Sequence, residues 1–198
     1  IVQQIREKQI PIWGEVELAY YFSKGKIAAI TGTNGKTTTT TIVGEIMKAY
    51  YKSVFVVGNI GIPYTEVVLN TKEDSITVAE MSSFQLETIS SFKPDVSAIL
   101  NITPDHLNRH HTMENYIAAK VKITLNQDKN DVCVLNYEDE VLRKIGEQLV
   151  TKVFYFSSLH KLENGIYLEE DKIIYSNDHE KTIICHTYEL NIFGRHSY

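Results

Sequence analysis

Apolar residues along this chain gather in short continuous runs, and between the runs they recur at helical spacing. The runs at 27–31, 54–57, 76–80, 96–102, 131–136 and 153–156 are mostly rich in Val and Ile, as expected of strands covered on both faces. Helical patterns fall between them at 36–51, 84–91, 112–127 and 138–149. Strand and helix in alternation predict an α/β fold, a doubly wound and mostly parallel sheet. Beyond about residue 160 the pattern changes. Short segments at 165–169, 172–175 and 182–187, separated by turn-like residues, predict a small antiparallel sheet near the carboxyl end. Residues 1–25 hold two short helical patterns broken at Pro11 and Gly14 and read as the tail of a preceding domain or a linker, with 26–198 forming the central domain. The first residue is Ile1 and the last, Tyr198, follows a Gly-Arg-His sequence, so the chain is expected to be a piece of a longer protein.

In open parallel sheets ligands sit beyond the carboxyl ends of strands. The polar residues there are Gly58-Asn59, Glu80, and Asn101 through His106. The richest such junction is Gly32-Thr33-Asn34-Gly35-Lys36-Thr37-Thr38, between the run at 27–31 and the helical spacing of Ile42, Ile46 and Ala49. A glycine turn that opens a helix leaves backbone N–H groups aimed at one spot, which suits a phosphate. Lys36 adds a mobile charge and the Thr37 hydroxyl is placed to hold magnesium. Ile30 stands where the longer form of this phosphate-binding loop (P-loop) has its first glycine, so the match is to the shorter Gly-x-x-Gly-Lys-Thr. Thr37 to Thr41 are β-branched, weak helix formers; helix propensity does not explain such a run, and local capping is the competing reading.

Glu80 ends an apolar strand and can hold magnesium directly or through water; equally, it can be a helix-start carboxylate among serine caps. His106 is either a neutral imidazole for a metal or a phosphate oxygen, or a loop histidine. His110 and His111 read as loop residues. Lys120 falls among Met113, Tyr116, Ile117 and Ile123 on a helical wheel, inside the apolar stripe, whereas Lys122 lands on the polar side. A lysine there either snorkels to the surface or loses hydration and basicity. A neutral amine in a metal-rich site can take up carbon dioxide and become a carbamate.

Composition narrows the function classes. Hydrophobic residues make up 43% and charged residues 23% of the 198, an ordinary soluble balance. A net charge of −5 gives no electrostatic footprint for nucleic acid. No apolar run reaches a membrane span, and no signal peptide opens the chain. Cys133 and Cys185 lie in apolar, strand-like runs and read as buried thiols of a reducing cytoplasm, not a disulfide.

Gly14-Glu15-Val16-Glu17-Leu18-Ala19-Tyr20, the loop at 32–38, Gly58-Asn59-Ile60-Gly61, the stretch Glu80-Met81-Ser82-Ser83-Phe84-Gln85-Leu86-Glu87, Asn101 through Leu107 and Ala118-Ala119-Lys120 follow one another in order. Together they resemble the ATP-dependent Mur ligases of peptidoglycan synthesis, most nearly the D-glutamate-adding branch. The resemblance implies the central ATPase domain of a three-domain enzyme, without its carboxy-terminal domain and with only the last helices of the UDP-binding one. It implies that Gly32, Thr33, Asn34, Gly35, Lys36, Thr37 and Thr38 bind ATP and that Lys36, His106 and Lys120 serve catalysis. Thr37 and Glu80 would hold one magnesium ion, while His106 and a carbamylated Lys120 would support a second. Asn59 and Ser82 would contact UDP-N-acetylmuramoyl-L-alanine, with D-glutamate as the other substrate. A cytoplasmic monomer with no nucleic-acid or membrane partner completes the expectation. Folylpolyglutamate synthetases and other Mur ligases share the loop; the stretch at 82–86 argues against them. Two positions depart from the family pattern: Ser197 stands where Asn usually follows Gly-x-His, and Asn108 occupies a place often held by Asp.

Overall fold

The computed structural model describes residues 2–190. In chain order its elements are α1 (Val2–Glu7), α2 (Glu15–Phe22), β1 (Lys26–Thr31), α3 (Lys36–Met47), β2 (Ser53–Gly58), α4 (Tyr64–Val67), β3 (Ser75–Glu80), α5 (Ser83–Leu86), β4 (Val96–Ile99), α6 (Leu107–His110), α7 (Met113–Val121), β5 (Val132–Asn136), α8 (Glu140–Gly146), β6 (Lys152–Ser157), β7 (Gly165–Glu169), β8 (Lys172–Ser176) and β9 (Lys181–His186). The strands form one sheet in the order β2-β3-β1-β4-β5-β6-β7-β8-β9. Pairing is parallel from β2 through β7, then antiparallel to β8 and β9. From β1 the chain passes to β2 and β3 on one side and then to β4 on the other. The carboxyl end of β1 is therefore the point at which the winding reverses, where open sheets of this kind hold ligands.

Each face of the sheet carries its own packing. Ile30, Ile76 and Val78 meet Val43 and Met47 of α3 on one face. On the other, Val16 and Ala19 of α2, Tyr116 of α7 and Leu142 of α8 join Ala29, Ala79 and Ile99. Every residue of β3 is buried, in keeping with its central place. Gly44 lets α3 lie close against β2, since a Cβ there would stand 2.4 Å from Val56 Cγ2.

Several elements are shorter than the apolar pattern predicts, for local reasons. The helix expected over 84–91 is a single turn, α5. The chain beyond it turns so that Ser90, Ser91 and Phe92 donate their N–H groups to the Glu17 carboxylate, at 2.9, 2.6 and 3.1 Å. The strand expected to 102 ends at Ile99, and the following backbone is drawn to side chains: Ile102 N–H to Asp139 and Thr103 N–H to Thr33. The helix expected over 112–127 ends at Val121 and tightens into a 3₁₀ turn. Asp139 caps α8 and delays its start, and Gly146 ends it against the Tyr155 ring. The antiparallel strands do not stand apart as a sheet of their own; they extend the parallel sheet through β7. Cys133 is buried, but Cys185, on the outer strand β9, is only partly so; both are free thiols. Ser197 lies outside the described residues.

Candidate active site

The sheet brings three strand ends together at the start of α3. The loop at 32–38 leaves β1, Glu80 closes the neighbouring β3, and Asn101 follows β4. Gly35 adopts a left-handed backbone, φ 82°, and precedes α3 without any side-chain cap, so the first-turn N–H groups stay open to an anion. Asn101 holds the loop from beneath: its Oδ1 accepts the Asn34 N–H at 2.8 Å and its Nδ2 donates to the Asn34 carbonyl at 3.0 Å. Thr33 is fixed through its hydroxyl to Thr103 and to the Tyr116 hydroxyl, each at 3.1 Å. Lys36 folds back over the loop and donates to the Gly32 and Thr33 carbonyls, both at 2.9 Å. Thr38 lies exposed on the first turn of α3.

Glu80 is the centre of the arrangement. It is 1% exposed. One carboxylate oxygen accepts the Thr37 hydroxyl at 2.9 Å, and the other accepts the Asn59 amide at 2.8 Å. The turn bearing Asn59 can approach because position 58 is glycine: a Cβ there would lie 2.2 Å from the Glu80 carbonyl oxygen. Thr37 and Glu80 are hard oxygen donors beside the phosphate loop, a partial set that suits magnesium completed by phosphate and water. No group of three or more His, Cys, Asp or Glu that could hold a metal exists among the described residues.

Lys120 is buried, 2% exposed, which decides for burial over the snorkelling alternative that its place in the apolar stripe left open. Its ammonium donates to the Gly32 carbonyl at 2.7 Å and lies 4.8 Å from the centre of the Tyr116 ring. Burial, with the nearby Lys36 charge, brings its pKa down to about 8. As an ammonium Lys120 is a hydrogen-bond donor and holds no cation; a carbamate would make it an oxygen ligand.

His106 and Ser82 stand differently. His106 has a left-handed backbone, φ 51°, and opens α6. Its ring leans on Phe84, with centroids 5.0 Å apart, and its Nε2 lies 3.3 Å from Asp105. Among the described residues it makes no hydrogen bond to Thr37, Glu80 or Lys120. The Ser82 hydroxyl is occupied by Gln85 in the capping box of α5. Asn108 is exposed on α6.

The description "Mur ligase middle domain" matches residues 30–198. The chain belongs to the Mur ligase family. Among its curated relatives, a UDP-N-acetylmuramoylalanine--D-glutamate ligase of Lachnoclostridium phytofermentans is 66% identical over 197 residues, covering 100% of this chain and 43% of the relative. A ligase of the same name from Lachnospira eligens is 54% identical and covers 100% of this chain and 44% of the relative. The chain thus spans less than half the length of these relatives. Among solved structures, the Thermotoga maritima MurF ligase in complex with ADP superposes with a TM-score of 0.61 at 24% identity, over 81% of this chain and 40% of that one. That likeness establishes the shared fold.

In this Mur ligase domain, two residues that the sequence pattern does not single out contribute to the site's frame. His110, read from sequence as a loop residue, is buried with Ser83 and Glu87 around it. Tyr116, read only as part of an apolar stripe, ties α7 to the phosphate loop through its hydroxyl. The spacing of His106 and His110, one helical turn apart, was the signal available for the first. A cleft of about 600 Å³, lined by Trp13, Tyr20, Tyr21, Lys93 and Asp95 among others, opens away from this Mur ligase loop, at the amino ends of β1 and β4. No helix among the described residues is long and apolar enough to cross a membrane.

Proposed function

We propose that the full-length protein is an ATP-dependent ligase that joins D-glutamate to UDP-N-acetylmuramoyl-L-alanine in peptidoglycan synthesis. In this reading it works in the cytoplasm as a monomer. The observation that carries the reading is the meeting of Thr37 and Asn59 on one buried carboxylate, Glu80. A phosphate-loop residue and a residue suited to the sugar-linked acid are thereby held side by side. The acid and the amino acid are those in the names of the relatives.

The substrate carboxylate attacks the γ-phosphorus of ATP and ADP leaves. The D-glutamate amine then attacks the acyl carbon, the phosphate departs with one carboxylate oxygen, and an amide remains. The reactants are anions and repel one another. The loop N–H groups and Lys36 draw charge from the phosphoryl group as it transfers. Thr37 and Glu80 would hold magnesium, which would neutralise further charge there. Lys36 exchanges its two loop carbonyls for phosphate oxygens. Lys120, once its neutral amine had added carbon dioxide with loss of a proton, would as a carbamate hold a second magnesium ion together with His106. Asn59 and Ser82 contact the UDP-linked substrate, Ser82 by releasing its bond to Gln85.

The two short helices at the amino end connect to a UDP-binding unit in the whole protein, and a further domain follows residue 198. The 198 residues alone bind nucleotide without ligase turnover, a second reading favoured by their covering only 43% of the relative. The test is phosphate release by the full-length protein with ATP, UDP-N-acetylmuramoyl-L-alanine and single amino acids. Release is expected with D-glutamate only, and equal release with L-lysine or D-alanine would overturn the assignment.

A further inference from the structure

Ser83, His110 and Glu87 form a connected set beside the site. The His110 Nε2 and the Ser83 hydroxyl are 2.9 Å apart, and the His110 Nδ1 lies 3.6 Å from the Glu87 carboxylate. The connectivity is that of a serine–histidine–acid triad. Ser83, however, is only 2% exposed and His110 6%, which leaves no approach for an acyl group to the hydroxyl. The set is built to hold, not to attack.

What it holds is specific. Ser83 opens the α5 turn, one residue after Ser82. The His110 ring stacks on Phe84, 5.6 Å between centroids and 19° between planes, and Phe84 also bears the His106 ring. Arg109 closes the group from outside, its guanidinium 4.5 Å from the Phe84 centroid and 2.7 Å from Glu87. Glu87 at Nδ1 favours the Nδ1–H tautomer, so Nε2 accepts the Ser83 proton. The Asn115 amide donates to the His110 carbonyl at 2.9 Å, which ties the same residue to α7, the helix of Lys120.

We propose that His110 is a positioning residue, which through Ser83 and Phe84 holds Ser82 and His106 in the places where they serve the UDP-linked acid's activation. This rests on the ligase reading above, in which Ser82 contacts the UDP-linked acid and His106 supports the second magnesium ion. Ser82 depends on the α5 turn for its direction, and that turn is only four residues long. An isolated turn of this length has no stability of its own. His106 is exposed on its other side and depends on Phe84 for its place. Misplacement by about 1 Å can cost such a site about 100-fold in rate.

The experiment is calorimetric and kinetic, on full-length protein, with Mg-ATP and UDP-N-acetylmuramoyl-L-alanine as separate ligands. His110→Ala is expected to lower kcat/KM for the UDP-linked acid by about 10- to 100-fold, with the Kd for Mg-ATP within about twofold of wild type. His110→Gln, whose amide reaches the Ser83 hydroxyl, is expected to recover most of that loss. Ser83→Ala removes one hydroxyl with little threat to folding and is expected to reproduce the selective loss, adding nothing further in combination with His110→Ala. Unchanged kinetics in His110→Ala and Ser83→Ala would overturn the proposal. So would a parallel loss of both ligands together with a fall in melting temperature, the pattern of a purely structural residue. Wild-type protein that binds neither ligand would instead overturn the ligase reading itself.

Discussion

The Thr37 hydroxyl donates to the Glu80 carboxylate across 2.9 Å, from the first turn of α3 to the last residue of β3. The pair ties the helix that follows β1 to the end of β3, the strand beside β1 in the sheet, and its two residues lie 43 apart in sequence. Glu80→Gln keeps the shape and can still accept one of its two bonds, but it removes the only charge the pair offers a cation. Nucleotide binding that depends on magnesium should suffer while the fold persists. Wild type at Mg-ATP of about 100 times Kd should gain about 2.7 kcal/mol of stability. In Glu80→Gln that gain should fall below about 1 kcal/mol, with an unliganded melting temperature no lower than wild type. Thermal denaturation with and without Mg-ATP measures both.

Lys120 couples stability to pH in a defined direction. Its pKa in the folded chain is about 8, against about 10.4 for an unperturbed lysine. Between these values the unfolded chain binds a proton that the folded chain has released, so folding stability from this group rises with pH. Below about 8 both states are protonated and the slope vanishes. Lys120→Met should remove the rise. Because several buried tyrosines titrate above this window, the quantity to follow is the wild-type minus Lys120→Met difference in unfolding free energy from pH 7 to 9.5. The same variant should be inactive in the full-length enzyme, since it can neither form a carbamate nor bond Gly32.

Glu17 makes a prediction of the same sign at acid pH. Burial pushes its carboxyl up, but the N–H groups of Ser90, Ser91 and Phe92 together outweigh this and hold it below the ordinary glutamate range. A lowered folded pKa contributes stability that is complete above the unfolded value and lost as pH falls through the folded one. Glu17→Gln turns charge-assisted bonds into weaker neutral ones and should cost about 2–3 kcal/mol at pH 7. It should also flatten the acid limb of the stability curve. Urea denaturation at pH 7 and pH 3.5 gives both numbers, and equal loss at the two pH values would count against a charged clamp.

Much of this architecture is legible from residue pattern alone. Runs such as 76–80 are continuous because β3 is covered on both faces. The wheel placed Lys120 inside because the apolar stripe around it is the face that packs on the core. What the pattern misses depends on partners distant in sequence. The α5 turn is cut short by a carboxylate more than seventy residues upstream, Glu17. His110 is buried because Ser83 and Phe84 come to it from another segment, and nothing adjacent to it announces that. The antiparallel strands join the main sheet through a three-residue pairing of β6 with β7, too short to leave a mark in spacing. Site residues at strand ends were legible as candidates; their grouping on Glu80 was not, since it arises from strand order.

In the proposed reaction the phosphate loop activates a carboxylate as an acyl phosphate. Full-length protein supplied with ATP, D-glutamate and UDP-N-acetylmuramoyl-L-alanine carrying oxygen-18 in its carboxylate tests it directly. One labelled oxygen should be found in the released inorganic phosphate and the other in the amide. Phosphate free of label, with amide still formed, would contradict the account.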